Sequence, residues 1–386
     1  MSGAAAAGMG SSSRVRLGIV GLGSVFEPYA TLIRELRYYG RVEVVAACDI
    51  VAGRARRVRD FLHQDAAFST DYADVVARDD VDAVLVLTAM PSHGEIAAAA
   101  LDAGKHVLVE KPMSVHLDEA AELVAKARTV PGLLMCAPHV VLSPTYQALW
   151  KRVVDEGEIG TVLTARARYG WSGPTWGRWY YDTGGGPLFD LGVYNITSLT
   201  GLIGSVKRVT ALAGTAIPRR EVDGEMIEVG NHDNYQVLLD FGDARFAVIT
   251  TGFTMHEYRS PAIELYGTAG VAQMLGDDWA PQGYEILRAD SAGWTTYAEV
   301  DPAWPWTAGL GHLVDCVIDG SRLLVRPEHA YHCLEVMVKA QVAAASGETQ
   351  TVSSTVDPLP YDPGEIYVQR GGKVGHDYRI RRHRDD

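Results

Sequence analysis

The chain has 386 residues, 47% of them hydrophobic and 22% charged, which is enough apolar material for two ordinary soluble domains. A formal net charge of -13 disfavours a nucleic-acid partner, because phosphate-backbone binding needs a basic surface. No apolar run approaches the roughly 18 residues of a membrane span.

The opening "MSGAAAAGMGSSS" has neither a basic start nor a true apolar stretch, so residues 1–13 read as a disordered tail rather than a secretory signal. "VRLGIVGLG" then reads as a buried strand and its turn, and "EPYATLIRELRYY" as a helix with Pro28 tolerated in its first turn. "VEVVAACD", "DAVLVLT", "HVLVE" and "GLLMC" continue as strands, alternating with the helical "VAGRARRVRDFL", "HGEIAAAALDAG" and "LDEAAELVAKAR". Strands alternating with helices predict a doubly wound parallel sheet covered on both faces, an α/β Rossmann domain over residues 14–139.

The pattern changes near residue 140. Helical "SPTYQALWKRVVDEG" and "PLFDLGVYNITSLTGLIG" flank the alternating "TVLTARARYG". "KRVTALAGTA", "NYQVLLDFG", "ARFAVITTGF", "AIELYGT", "GVAQML" and "YEILRA" follow as strands joined by short turns. "GLGHLVDCVIDG" and "PEHAYHCLEVMVKAQVAAASG" close the chain as helices. These elements predict an α+β domain over residues 140–360 with a large, open, mainly antiparallel sheet. Residues 361–386, charged and glycine-containing, read as a C-terminal tail that is solvated or draped on a partner. Cys48, Cys136, Cys316 and Cys333 sit far apart in apolar runs and read as buried, reduced thiols in a cytoplasmic protein. The scattered histidines, His93, His232 and His312 among them, show no metal-ligand spacing, so no metal is expected.

Gly21 and Gly23 close the first strand and open the first helix at Ser24, Val25 and Phe26. Such glycines let backbone N–H groups approach a pyrophosphate at a helix N-terminus. The third glycine of the full dinucleotide fingerprint is replaced by Phe26, so a plain tight turn and a cofactor turn weigh equally from these residues alone. Asp49 ends the second strand, where an acid can accept both ribose hydroxyls of an adenosine and would repel a 2'-phosphate. NAD is therefore the expected cofactor, with NADP left open by Arg54 and Arg56 just beyond. Asp49 is equally placed to cap a helix, and the two roles are compatible.

In open α/β sheets ligands bind beyond the carboxyl ends of the strands, and Glu110, Lys111 and Pro112 stand at such an end. "GIVGLG", Asp49, the long stretch "HGEIAAAALDAGKHVLVEKPM" and the later "GGGPLFDLGVYNI" together resemble the glucose-fructose oxidoreductase / inositol dehydrogenase / MocA family. The resemblance covers about residues 14–350 and is most specific between His93 and Met113. It implies that Lys111 lies between nicotinamide and a substrate hydroxyl, with Pro112 after a cis peptide and Glu110 as its partner at the strand end. It implies further that Thr88 and His93 lie near the cofactor. Relatives often read Thr-Pro-Asn-x-x-His there; Met90 takes the Asn place in this chain, which puts the contacts of that Asn in doubt.

Asp190 and Tyr194, four apart on a predicted helix, fall on one face. Tyr194 is the candidate general acid/base, as in the sugar and dihydrodiol members of that family. Lys111 is expected to lower its pKa and Asp190 to orient lysine and substrate. The aromatic loop before them supplies Trp171, Trp176 and Trp179, with faces suited to sugar rings, and Arg178, a candidate for an anionic substituent. The function these residues predict is NAD(P)-dependent oxidoreduction of a sugar, cyclitol or related polyol. A glycosidase working through transient oxidation would use the same residues, and a non-catalytic sugar or dinucleotide sensor is a third possibility. The resemblance implies a homodimer or homotetramer through the antiparallel sheet.

Overall fold

The computed structural model describes residues 14–182, 184–297 and 304–356, and the backbone alone at 365–367 and 379–381. The expected tail at 1–13 lies outside the described residues, as does that at 361–386 apart from two short strands, Glu365–Tyr367 and Arg379–Arg381, which pair antiparallel.

The first sheet comprises β1 (Val15–Val20), β2 (Val42–Cys48), β3 (Ala67–Ser69), β4 (Ala83–Val86), β5 (His106–Val109) and β6 (Leu134–Cys136). Its order is β3-β2-β1-β4-β5-β6, and every pairing is parallel. Helices cover both faces, so β4 near the centre is apolar along its whole length, with all four residues buried. The connecting helices are α1 (Phe26–Tyr38), α2 (Arg56–Leu62), α3 (Tyr72–Val76), α4 (His93–Asp102) and α5 (Leu117–Ala127). In α1 the buried residues Phe26, Tyr29, Ala30, Ile33 and Leu36 recur every three or four positions, while Glu27 and Arg37 occupy the ends that the helix dipole favours. Strand order reverses between β1 and β4, and their carboxyl ends open there into a crevice.

The second part begins with α6 (Pro144–Trp150), β7 (Val162–Gly170) and α7 (Val193–Ile203). β8 (Arg208–Gly214), β9 (Arg219–Val222), β10 (Glu225–Glu228), β11 (Asn234–Gly242), β12 (Arg245–Gly252), β13 (Ile263–Gly267), β14 (Gly270–Asp277), β15 (Ala280–Arg288) and β16 (Thr295–Tyr297) follow. Helices α8 (Gly309–Asp319) and α9 (Pro327–Ser346) precede β17 (Gln350–Thr351). Nine strands form one sheet in the order β16-β15-β14-β13-β7-β12-β11-β8-β17, while β9 and β10 form a separate hairpin. All pairings in the large sheet are antiparallel except β7 with β12. Along β11, Tyr235, Val237, Leu239 and Phe241 point into the core and Asn234, Gln236 and Leu238 face outward.

The last helices do not stay with the second sheet alone. α8 packs on α1, β1 and β5, and α9 bridges α5 and β6 to α7 and β8. Arg41, at the foot of the first sheet, binds Asp315 and Asp319 of α8 at 2.6 Å each.

Candidate active site

A cleft of about 1020 Å³ opens at the carboxyl ends of β1, β2, β4 and β5 and is closed on its far side by the second part of the chain. That size is at the upper end of the roughly 300–1,000 Å³ typical of small-ligand sites.

Gly21, Gly23, Ser24 and Val25 line one end. Gly21 has φ +100°, and a Cβ there would lie 2.6 Å from the backbone carbonyl of Leu87, so only glycine makes this turn. A Cβ at Gly23 would meet nothing within 4 Å; it would project into open space beside the cleft. The turn therefore offers bare backbone at a helix start, which fits a dinucleotide's pyrophosphate. Phe26, expected among the cofactor contacts, is instead fully buried, edge-on to Phe61 at 6.1 Å, because it opens α1 on the face that packs into the core.

Asp49 is buried behind the turn. Its Oδ2 accepts from Leu22 N at 2.8 Å and its Oδ1 from Val51 N at 2.8 Å, and Arg54 Nη1 approaches at 3.1 Å. The carboxylate thus ties the glycine turn to β2 as well as facing the cleft, where Ile50 stands 87% exposed beside it.

Thr88, Met90 and His93 line the cleft beyond β4. The buried His93 ring spans two carbonyls, Nδ1 to Pro112 O at 2.7 Å and Nε2 to Thr88 O at 2.9 Å. Burial lowers its pKa, and a neutral imidazole has one proton to donate between them. His93 so fastens the end of β4 to the loop after β5. The Lys111–Pro112 peptide is cis, as the family resemblance implies.

Glu110 Oε1 accepts from the Tyr29 hydroxyl at 2.7 Å and Oε2 from Lys111 N at 3.1 Å. A hydrogen bond to a charged group contributes about 1.5–3 kcal/mol, so Tyr29 is a substantial partner for this buried carboxylate. Lys111 Nζ donates to Asp190 Oδ1 at 2.6 Å and to Asp190 O at 2.8 Å. Burial works against its ammonium, but Asp190 and Glu110 outweigh burial and hold its pKa above the ordinary lysine value.

Asp190 and Tyr194 both line the cleft, by a route slightly different from the predicted one. Residues Leu188–Gly192 form a π turn that runs into α7, so Asp190 sits on a widened turn. The Lys111 ammonium lies over the Tyr194 ring, 5.3 Å from its centroid, and the ring meets the Tyr169 ring edgewise at 5.6 Å. The expected lowering of the Tyr194 pKa is not found. Burial, then the charges of Glu110, Asp190 and Asp278, push its phenol well above the ordinary value, while the lysine's hydrogen bonds go to Asp190.

The aromatic loop divides. Trp176 and Trp179 line the cleft together with Tyr180, which stacks on Trp179 at 3.7 Å. Trp171 is not among the lining residues; it packs against Trp176 and Phe253 in a separate apolar cluster. Arg178 points to solvent, 3.9 Å from Asp182. Outside the cleft, His312 is buried and accepts from Leu324 N at 2.9 Å, while His232 lies against Tyr235. Among the described residues no three His, Cys, Asp or Glu side chains converge as metal ligands would.

Three participants escape sequence reasoning. Asp223, at the tip of the β9–β10 hairpin, lines the cleft and accepts from Gly177 N through Oδ2 at 3.1 Å. Its Asp-Gly turn is a hairpin signal in sequence, but nothing local says that the hairpin lies over the site. Trp306 reaches the cleft from the segment before α8 and packs edgewise on Tyr29 at 5.6 Å. Tyr29 itself is hidden in the apolar stripe of α1.

Comparison with known proteins agrees with this geometry. Residues 15–137 match an oxidoreductase family model with an NAD-binding Rossmann fold, and residues 148–273 match the GFO/IDH/MocA C-terminal domain. The chain is 29% identical over 361 residues, 92% of its length and 98% of the other's, to a trans-1,2-dihydrobenzene-1,2-diol dehydrogenase of Sus scrofa. It is 33% identical over 156 residues, 40% of this chain and 46% of the other, to an inositol 2-dehydrogenase of Salmonella paratyphi B. A levoglucosan dehydrogenase structure in complex with NADH shares the fold at a TM-score of 0.78 and 19% identity, covering 88% of this chain and all of that one. With a glycine turn, a strand-end acid and a second sheet that closes the cleft, the chain belongs to the Gfo/Idh/MocA family of NAD-binding oxidoreductases.

Proposed function

We propose that the protein oxidises a hydroxyl, or reduces the matching carbonyl, of a sugar, cyclitol or related polyol. The observation that carries this reading is the Lys111–Asp190 pair, held at 2.6 Å in the cleft that Trp176, Trp179 and Tyr180 also line. A fixed ammonium beside aromatic faces suits a polyhydroxylated ring, whose apolar face stacks while its hydroxyls hydrogen-bond. The relatives are named for ring alcohols, a dihydrobenzene diol and inositol, which supports a hydroxylated ring as substrate.

Gly21, Gly23, Ser24 and Val25 would hold the pyrophosphate of NAD and Asp49 its ribose, and when bound the nicotinamide accepts or returns a hydride. Lys111 donates a hydrogen bond to the reacting oxygen and stabilises negative charge on it. In reduction Tyr194, whose phenol is protonated, gives its proton to that oxygen and is left as a phenolate that solvent water reprotonates; oxidation runs the same steps in reverse, solvent first taking the phenol proton. Asp190 fixes the direction of the lysine, and His93 and Glu110 hold the backbone on either side of it. The retained Lys111–Asp190 pair supports an enzyme over a sensor.

Asp49 favours NAD over NADP, although Arg54 at 3.1 Å offsets part of its charge. On the substrate side Asp223 is a carboxylate without a basic partner within ion-pair distance among the described residues, so neutral or amine-bearing rings suit the site better than acidic ones. The outer face of the large sheet exposes Leu212, Leu238, Phe246 and Val248, which supports a homodimer or homotetramer through that face. Four buried thiols joined by no disulfide suit a reducing compartment such as the cytoplasm.

The test is a screen of purified protein with NAD and NADP separately against sugars, cyclitols and glycosides, read at the nicotinamide absorbance. Reduced cofactor forming with a polyol supports the assignment. Release of an aglycone without net NADH would move it to glycoside cleavage, and no turnover with any polyol would reject it.

A further inference from the structure

Asp278 is completely buried at the corner between β14 and β15. Its Oδ2 accepts from Asn195 Nδ2 at 2.7 Å. Asn195, also completely buried, follows Tyr194 in the first turn of α7, and its amide also donates to Arg168 O on β7 at 3.4 Å. The other oxygen of each residue, Asp278 Oδ1 and Asn195 Oδ1, is buried without a hydrogen-bond partner. A carboxylate oxygen and an amide oxygen are both acceptors, so within an ionised pair neither can donate to the other. A proton on Asp278 Oδ1 would turn one of these acceptors into a donor, so that the acid would donate to Asn195 Oδ1 while the amide donates to Asp278 Oδ2.

The surroundings favour the neutral acid. No cation pairs with Asp278 among the described residues. Its chain neighbour Asp277 accepts a hydrogen bond from the Tyr258 hydroxyl, and the Arg168 guanidinium lies over the Tyr258 ring at 4.3 Å. Tyr169 on β7 presents its ring to Tyr194, and Asp190 lies towards Lys111.

We propose that Asp278 is a positioning residue of the active site: it holds a proton, locks a two-hydrogen-bond pair with Asn195 and so sets the first turn of α7, and Tyr194 with it, on an uncharged support. Burial, reinforced by the charge of Asp277 and partly opposed by hydrogen bonds from Asn195 and from the backbone N–H groups of Asp278 and Trp279, raises the Asp278 carboxyl from 3.8 to about 8. Ionisation above that pH breaks one hydrogen bond and places a negative charge behind a phenol that already feels Asp278. The catalytic consequence rests on the proposed role of Tyr194; the shared proton does not.

Asp278→Asn is the informative variant, since an amide keeps both hydrogen bonds and cannot ionise. In the infrared difference spectrum of the full chain at about pH 6, wild type should show a protonated-carboxyl stretch that D278N lacks and that disappears above about pH 9. Because the folded-state pKa lies above the unfolded one, the proton's contribution to stability is complete below about pH 4 and is lost as pH rises to about 8. The Tm of D278N relative to wild type should therefore climb across that window and then level off. Should D278N fold poorly, the exchanged pair N195D/D278N restores one acid and one amide, and the band should return. No band in wild type, or a Tm difference flat with pH, overturns the shared proton. In turnover, wild type should lose activity through about pH 8 while D278N retains it. Identical alkaline profiles overturn the positioning role. If no polyol is turned over by either protein, the proposed function fails, and the infrared and thermal readouts still decide the pair.

Discussion

The Lys111 ammonium lies over the face of the Tyr194 ring, 5.3 Å from its centroid, and sends its hydrogen bonds to Asp190. A cation over a ring face attracts the π-electrons without donating to the hydroxyl. The two side chains are therefore neighbours with separate tasks: one fixes charge, the other keeps a proton.

Lys111→Ala should lower kcat about 10²–10⁴-fold, the range a positioned acid/base group supplies. It also leaves the buried Asp190 without its cation, and breaking such a pair costs about 3–5 kcal/mol. The double variant K111A/D190A should regain much of the Tm but none of the turnover. Recovery of turnover with Tm would show that the lysine acts only through folding.

Tyr194→Phe removes one oxygen and keeps the ring against Tyr169. Turnover should fall at every pH tested, and NAD affinity should stay as in wild type. In wild type the phenol stays protonated well past its ordinary range, so in the reducing direction its own ionisation should not limit activity until strongly alkaline pH, while oxidation should speed up as pH rises toward that range. A rise in KM with kcat and its pH profile unchanged would transfer the proton step to Lys111 and leave Tyr194 as a binding residue.

Asp49→Ala should weaken NADH binding more than NADPH binding, measured by quenching of tryptophan fluorescence. The ribose hydroxyls lose an acceptor, and a 2'-phosphate loses a repulsion. Equal losses would mean that Asp49 acts mainly by anchoring Leu22 N and the glycine turn.

Asp223→Asn should change substrate charge preference and little else. With a ring offered as its amine, its neutral parent and its acid, wild type should rank them in that order by kcat/KM. The variant should compress the ranking by a few-fold, since an exposed ion pair is worth only about 0.2–1 kcal/mol. An unchanged ranking would remove Asp223 from substrate recognition.

Much of this was legible in sequence because it is local. Continuous apolar runs and period-two alternation mark the strands of the two sheets, and the stretch from His93 to Met113 places Lys111 at a strand end. What was not legible depends on long-range approach. Phe26 reads as part of the turn, but the pitch of α1 buries it. The Tyr194 pKa depends on Glu110 and Asp278, remote in sequence, and on where the lysine's hydrogens point. Trp171 and Trp176 look alike in one aromatic loop, and only the cleft separates them. The β7–β12 pairing is parallel because the chain leaves the sheet and returns between them, which no turn signal announces.

The return of α8 to α1, β1 and β5, pinned by Arg41, makes the nucleotide-binding half a discontinuous unit assembled from both ends of the chain. A fragment cut near residue 140 would bare the apolar side of α1 that α8 covers and would lose Trp306 from Tyr29. The two halves should accordingly melt together in one cooperative transition, and a nascent chain should complete its first sheet's shell only after synthesis of its last helices.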